Sequence, residues 1–462
     1  MILYVRSGSL YLTFDESLTN LFPEIAPVKN APAAVWLFGA FFAVLAAAGV
    51  EGISKGAGNP GAWQGAYANL LPGMADVHEA DADSAYSTTV LRIQRGRVKA
   101  VKAKKRRTRP RDYRDGYQEG YRLGLCEAVK RLNSPEVEAC RPFKLMYVPQ
   151  GFEAIDTGIT EALKLLVSEV VISSPESMLE VAAREQPGAV LVMNGLHVFP
   201  ANHLEQIDEI RNLGIATAIW FADDPYFTED TSVICLHYDH VFTHELGCVE
   251  FYRSLGAGSV HYLPLCVNPQ MFYPRRTGPQ YDFDIVFIGN AFRNRTALFD
   301  ELAPFLKGKK VLIAGGFWER LSQFDELSPF IRSGFIPPEE TANYYSGAKL
   351  VINIHRPWEG GLDNRNTFQL PSRSINPRTY EISACGTMQL TDIREDLGSY
   401  YRPGHDLETF ASADELKRKI EYYLKHEHER RKFALRGLQT TLRRHTFTAR
   451  LPELLNVLTS QM

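Results

Sequence analysis

Ser374-Ile-Asn-Pro-Arg-Thr-Tyr-Glu-Ile-Ser-Ala-Cys-Gly-Thr-Met-Gln-Leu-Thr-Asp392 runs from a polar loop into a helix of small residues, a glycine stop and a short apolar strand. Pro377 suits the first helical turn, where a missing N–H costs nothing, and Gly386 suits the left-handed residue that ends a helix. The helix N-terminus then falls at Asn376 to Arg378. Free N–H groups and the positive dipole end favour a phosphate there. Arg378 adds a fork of donors, and Glu381, one turn later, offers a carboxylate to ribose hydroxyls. The set fits a nucleotide diphosphate; the plainer alternative is that Arg378 and Glu381 only cap a surface helix.

Short apolar runs alternate with helical patterns on both sides of this stretch. Upstream lie Phe283 to Asn290, Lys310 to Gly316 and Lys349 to His355. Further upstream, six runs start at Lys144, Val170, Ala189, Ile215, Asp239 and Val260. Strands alternating with helices predict parallel, doubly wound sheets, in which ligands collect at the carboxyl ends of strands. In the first set that rule selects Gly151, Asn194-Gly195, Ala222-Asp223-Asp224-Pro225 and Thr243-His244. In the second set Gly289 and Asn290 end a strand and are followed directly by Arg293 and Arg295, and the strand from Lys349 ends in the polar groups Asn353 and His355. The last two side chains lie two apart, on one face of their strand. Each has a structural alternative: an Asp-Pro turn, a hydrogen-bonded histidine, surface arginines. Trp358 to Arg373 is long and polar and is expected to be a mobile loop over the cleft. Ser412-Ala-Asp-Glu415 is a capping box opening a helix to about Lys425. A further helix follows, and the final one begins near His445.

Two features resemble a known family. Glu381 to Gly386, E-x-x-A-C-G, looks like the second half of the E-x7-E donor signature of nucleotide-sugar glycosyltransferases with two Rossmann-like domains, the GT-B superfamily. Asn353-Ile-His355 and Asn376-Pro-Arg-Thr-Tyr-Glu381 resemble its spore-maturation, CgeB-like branch. The resemblance implies an α/β fold of two Rossmann-like domains facing across a cleft: a first, acceptor-side domain over 143–274, a second, donor-side domain over 275–440, and a return helix over 441–462. It also implies transfer of a sugar from a nucleotide-diphosphate donor to a saccharide, protein or cell- or spore-surface polymer, with retention of configuration. The donor diphosphate would lie at Gly289, Asn290, Arg293 and Arg295, with Asn353, His355, Asn376, Arg378 and Glu381, and the base near Gly334 to Glu340. Asp224, Asp223 and His244 are the candidate catalytic residues.

There are departures from the family pattern. Alanine and two aspartates stand where a His-Asp pair is usual. Arg373 occupies the place of the first Glu of E-x7-E. These leave room for a non-catalytic sugar- or nucleotide-binding protein of the same fold, or for an epimerase. No metal-ligand cluster appears in the sequence, and neither a metal nor another cofactor is expected.

Residues 1–142 differ in character. Ala31 to Val50 is uncharged throughout, long enough to span a bilayer. It could equally be a buried or membrane-surface helix, or translated sequence outside the working protein. Eleven of the positions from Arg95 to Arg114 are Lys or Arg, a solvated segment or an anchor to an anionic membrane face. Tyr113 to Gly124 repeats Y-x-x-G, which predicts a helix with a glycine stripe that another helix could approach closely. The net charge of -3 argues against nucleic acid as a specific partner. Six cysteines without a C-x-x-C pair fit reduced thiols and a cytoplasmic setting, with membrane association through the N-terminal extension left open.

Overall fold

The computed structural model describes residues 2–6, 9–13, 93–94, 97–98, 110–133, 137–359, 361 and 363–460. Within residues 1–105, two antiparallel ladders are described, Ile2–Arg6 with Ser9–Thr13 and Ile93–Gln94 with Arg97–Val98. The apolar stretch 31–50 and most of the basic run lie outside the described residues. Among the described residues no helix is long and apolar enough to cross a membrane.

Side-chain alternation builds the first domain. In β1 (Arg141–Val148), Leu145 and Tyr147 face one apolar cluster while Met146 and Val148 face another. Both faces of the strand are therefore buried, as a parallel sheet requires. It is followed by α2 (Glu153–Leu166), β2 (Val167–Ile172), β3 (Ala189–Met193), β4 (Ala216–Phe221), β5 (His240–Thr243) and β6 (Ser259–Tyr262). All pairs are parallel, in the order β6-β5-β4-β3-β1-β2.

The second domain has β7 (Phe283–Ile288), β8 (Val311–Gly315), β9 (Ile331–Ser333), β10 (Ala348–Asn353), β11 (Met388–Asp392) and β12 (Glu408–Phe410). They form one parallel sheet ordered β9-β8-β7-β10-β11-β12. The strand order reverses between β7 and β10. Ligands collect at such a reversal, and here it lies between the Gly289 turn and His355.

Helices after β7 and β10 frame that point. Arg293–Leu306 follows the glycine turn and Pro377–Ala384 precedes β11; we call them the glycine-turn helix and the Asn376 helix. Asn376 caps the second by accepting from the Thr379 N–H, Pro377 is its first residue, and Gly386 takes φ +64° just past its end. Ser412 caps Ala413–Lys425, accepting from the Glu415 N–H at 3.2 Å.

The final helix, Phe447–Thr459, returns to the first domain. Leu451, Leu454, Leu455 and Leu458 join the same cluster as Leu145 and Leu163. Gly158 of α2 lets Phe447 approach, because a Cβ there would lie 2.5 Å from its ring.

The helix α1 (Pro110–Leu132) packs on the second domain through Cys126 and Val129, each 2% exposed. Gly386 permits the contact, since a Cβ would meet Cys126 Sγ and Pro274 Cγ at 3.0 Å. Nothing lies within 4 Å of a Cβ built on Gly116, Gly120 or Gly124, so the packed face is the Cys126 face.

The stretch Trp358 to Arg373, expected to be a loop over the cleft, makes contacts with the first domain. Asn366 accepts from Thr228 Oγ1 of the first domain at 2.8 Å, and Arg365 pairs with Glu229 and Asp230 at 3.1 and 3.0 Å. Phe368 packs on Phe251 with ring centroids 4.8 Å apart. The loop crosses the cleft and is tied to the opposite wall.

Candidate active site at the interdomain cleft

The wall of the second domain is rich in guanidinium groups. Arg295 is 2% exposed. It donates to the Ile354 carbonyl through Nη2 at 2.6 Å and Nε at 3.1 Å, and to the Asn290 carbonyl through Nη1 at 2.8 Å. Gly289 leaves it room, as a Cβ there would sit 3.0 Å from Nη1. Burial pushes Arg295 down to about 9, and the nearby Arg378 and Arg356 cations add to that push against Tyr226 and Asp392.

Arg356 lies in a cage from both domains. Its guanidinium is 4.4 Å from the Tyr226 ring, 4.7 Å from Phe292 and 5.4 Å from Phe227. Its Nε donates to Asn364 Oδ1 at 2.7 Å. Among the described residues neither Arg295, Arg356 nor Arg378 has a carboxylate within ion-pair distance. Arg295 is buried, with its cost offset by the three carbonyl hydrogen bonds, while Arg356 and Arg378 are half-buried and keep guanidinium surface open to solvent. The arrangement can therefore receive a multiply charged anion.

Three residues expected to touch a ligand instead brace the wall. Asn353 and Asn376 exchange side-chain amide hydrogen bonds at 3.0 and 3.1 Å, and Asn353 Nδ2 also donates to Thr379 Oγ1 at 3.0 Å. His355 accepts the Asn376 N–H on Nε2 at 3.0 Å and donates from Nδ1 to Asp392 Oδ1 at 2.5 Å. That fixes one neutral tautomer, and burial lowers its basicity despite Asp392. The three side chains together position the N-terminus of the Asn376 helix.

Glu381 is half-buried on the next turn. Desolvation pushes its carboxyl up to about 7, opposed by Arg378. Asn290 is exposed and accepts the Gly316 N–H at 3.0 Å, and Arg293 is exposed at the start of its helix. Three buried polar atoms near His355 lack partners: His244 Nδ1, Asn294 Oδ1 and Arg394 Nε. Such orphans are uncommon in native interiors.

On the first domain the two adjacent aspartates diverge. The Asp224 carboxyl turns into the interior, accepting from Thr243 Oγ1 and the Tyr252 hydroxyl, each at 2.6 Å. Burial pushes it up to about 7 against those donors. Asp224, a candidate catalytic residue by sequence, is thus closed into the domain interior by these two partners, and the bend that follows β4 leaves Asp223 as the more exposed of the pair. Asp223 lies at the cleft. Asn194 holds it, donating from Nδ2 to Asp223 Oδ2 at 2.8 Å while Asn194 Oδ1 accepts the N–H groups of Ala222 and Asp223. Burial raises the Asp223 carboxyl, opposed by Asn194, Arg356 and His197.

His244 is fully enclosed. Its Nε2 donates to the Asp224 carbonyl at 3.0 Å, and desolvation lowers it to about 4. The sequence reading missed His197 and Arg356. His197, at φ +56°, brings Nε2 to 3.9 Å from Asp223 Oδ2. A His-Asp pair thus forms between two strand ends rather than along one. The signal for it was Asn194-Gly195, which the strand-end rule selected three residues too early. Arg356 directly follows the Asn353-Ile-His355 motif. Arg373, in place of the first Glu of E-x7-E, pairs its side chain with Glu395 at 3.6 Å. Its N–H donates to Glu245 of the first domain at 2.8 Å.

Parts of the chain that carry this geometry are similar to known proteins. Residues 293–456 match the family described as "Glycosyl transferase-like", which covers most of the guanidinium wall and the start of the return helix. The chain is similar to Spore protein CgeB of Bacillus subtilis (strain 168): it is 29% identical over 316 residues, covering 66% of this chain and 95% of that protein. Among solved structures, Anabaena HepE in complex with UDP-glucose is similar with a TM-score of 0.49 and 10% identity, over 69% of this chain and 100% of that one. Sucrose-phosphate synthase from Thermosynechococcus elongatus is similar with a TM-score of 0.45 and 15% identity, over 62% and 78%.

Proposed function

We propose that this protein transfers a sugar from a nucleotide-diphosphate donor to a hydroxyl of a saccharide or surface polymer. The observation that carries the reading is the convergence of Arg295, Arg356 and Arg378, without carboxylate partners, on the strand-order reversal of the second sheet. The diphosphate lies against Arg356, Arg378 and the N-terminus of the Asn376 helix, while buried Arg295 adds its field from beneath. Glu381 accepts from the ribose hydroxyls.

The anomeric carbon–oxygen bond to the diphosphate breaks, and the guanidinium groups take up the charge that develops on the leaving oxygen. The acceptor hydroxyl bonds to the anomeric carbon and gives its proton to the departing phosphate or to Asp223. Asp223, held by Asn194, and His197 orient that hydroxyl. Retention of configuration, and catalysis by these cations without a metal, complete the proposal.

A second reading, a binding protein without turnover, is favoured by Arg373 standing where a donor-contacting Glu would be expected. Incubation with labelled nucleotide sugars separates the two. Release of nucleoside diphosphate that rises with added acceptor supports transfer. Tight binding with no release across uridine, guanosine and adenosine donors would support the second reading instead.

A further inference from the structure

A second cavity, about 540 Å³, opens at the opposite end of the second sheet, where β10 and β11 begin. Its walls are α1, the interdomain linker around Arg276 to Pro279 and the long helix Glu427–Arg444. It shares no residue with the arginine wall of the cleft.

The floor is apolar: Leu125, Cys126, Met388 and Leu435 line it. Its cations are Arg122, Arg276, Lys349, Arg430 and Arg431. Three are neutralised locally, Arg122 by Glu119 at 2.7 Å, Arg431 by Glu427 at 2.6 Å and Lys349 by Asp284 at 2.6 Å. Asp282, also in the lining, is turned to Lys310 at 2.6 Å. Arg276 and Arg430 have no carboxylate within ion-pair distance among the described residues. Arg430 is half-buried and donates to the Tyr423 carbonyl at 2.7 Å; desolvation lowers it. Arg276 is exposed and Arg430 feels Glu427 and Asp284 only from beyond ion-pair distance, so five cations face three carboxylates, Glu119, Asp282 and Glu427, in the lining of a pocket whose other side is hydrocarbon.

We propose that this cavity is a second ligand site, for an amphipathic anion whose phosphate or carboxylate head meets Arg276 and Arg430 and whose apolar body lies on Leu125, Cys126 and Leu435. A guanidinium fork suits such a head group, and a partly enclosed apolar floor excludes water from the rest. Because the ligand would touch α1, the linker and the second domain together, its binding stabilises their junction.

The test is calorimetric titration of the full chain with dodecyl phosphate below its micelle concentration and, separately, with glucose 1-phosphate, both in saturating UDP to occupy the cleft. Dodecyl phosphate is expected to bind saturably. Arg276→Gln with Arg430→Gln should weaken it at least about tenfold, the loss of a charge-assisted hydrogen bond. Leu125→Trp, which fills the floor without touching a cation, should weaken it as well, and thermal melting confirms that each variant is folded. Two results would overturn the proposal: no saturable binding of dodecyl phosphate in saturating UDP, or binding by the folded variants as tight as by the parent. Binding of glucose 1-phosphate in preference to dodecyl phosphate would overturn the amphipathic assignment. None of these outcomes bears on donor chemistry in the cleft.

Discussion

Asp223 and Asp224 leave the end of β4 in opposite directions: Asp223 Oδ2 lies 3.9 Å from His197 Nε2 at the cleft, while both Asp224 oxygens are sealed between Thr243 and Tyr252. The pair separates chemistry from stability. Asp223→Asn is expected to lower turnover about 100-fold, the smaller end of what a positioned acid or base contributes, with nucleotide affinity unchanged. Asp224→Ala should instead cost about 1–3 kcal/mol of stability, because it leaves the Thr243 and Tyr252 hydroxyls without their buried partner. Steady-state rates and chemical denaturation distinguish the two. Full activity in Asp223→Asn would remove the acceptor-side assignment.

Asp224 also predicts a pH dependence. Its folded carboxyl titrates at about 7, against about 4 in an unfolded chain. Between those values the native state holds a proton that the unfolded state has lost. This contribution to stability is therefore complete below about pH 4, declines as pH rises, and is gone above about 7. Denaturation midpoints from pH 5 to 8 should fall less steeply in Asp224→Asn than in the parent. Equal slopes would show that the carboxyl ionises without penalty.

Glu381 should show its pH effect in binding rather than in folding alone. A carboxylate that accepts from ribose hydroxyls must be ionised, and here desolvation holds it up to about 7. UDP affinity is expected to rise from pH 6 to 8. Glu381→Gln should flatten the part of that rise not due to the phosphate itself, and should bind about tenfold more weakly at pH 8. An unchanged profile in the variant would return Glu381 to the surface of its helix.

Much of this architecture was legible because its signals are local. Alternation of strands and helices gave both parallel sheets. Pro377 and Gly386 bounded the helix that begins at Asn376. Which polar residues face the cleft was not legible, since strand-end position does not say which way a side chain turns. Asn353, His355 and Asn376 satisfy one another across 21 to 23 positions, and Asp224 finds Tyr252 28 residues away. Arg356 depends on an aromatic cage assembled from both domains, and His197 meets Asp223 only through a left-handed turn after β3. Such pairings are tertiary and leave no spacing in the sequence.

The domain boundary can be tested by truncation. Cutting the chain near Arg141 keeps every strand of the two sheets but removes α1, which buries Cys126 and Val129 against the second domain. A chain starting at Arg106 should melt as the full chain does. One starting at Arg141 should lose about 2 kcal/mol or more, from re-exposing the apolar surface that α1 covers. Equal melting temperatures would make α1 an appendage.

The most direct test of the arginine wall is a crystal structure of the full chain with UDP. Both phosphates should lie between the N-terminus of the Asn376 helix and the Gly289 turn, within hydrogen-bond distance of Arg378 and Arg356, with the ribose on Glu381. UDP bound elsewhere, or a cleft in which protein carboxylates neutralise Arg356 and Arg378 and no nucleotide enters at saturating concentration, would contradict the account.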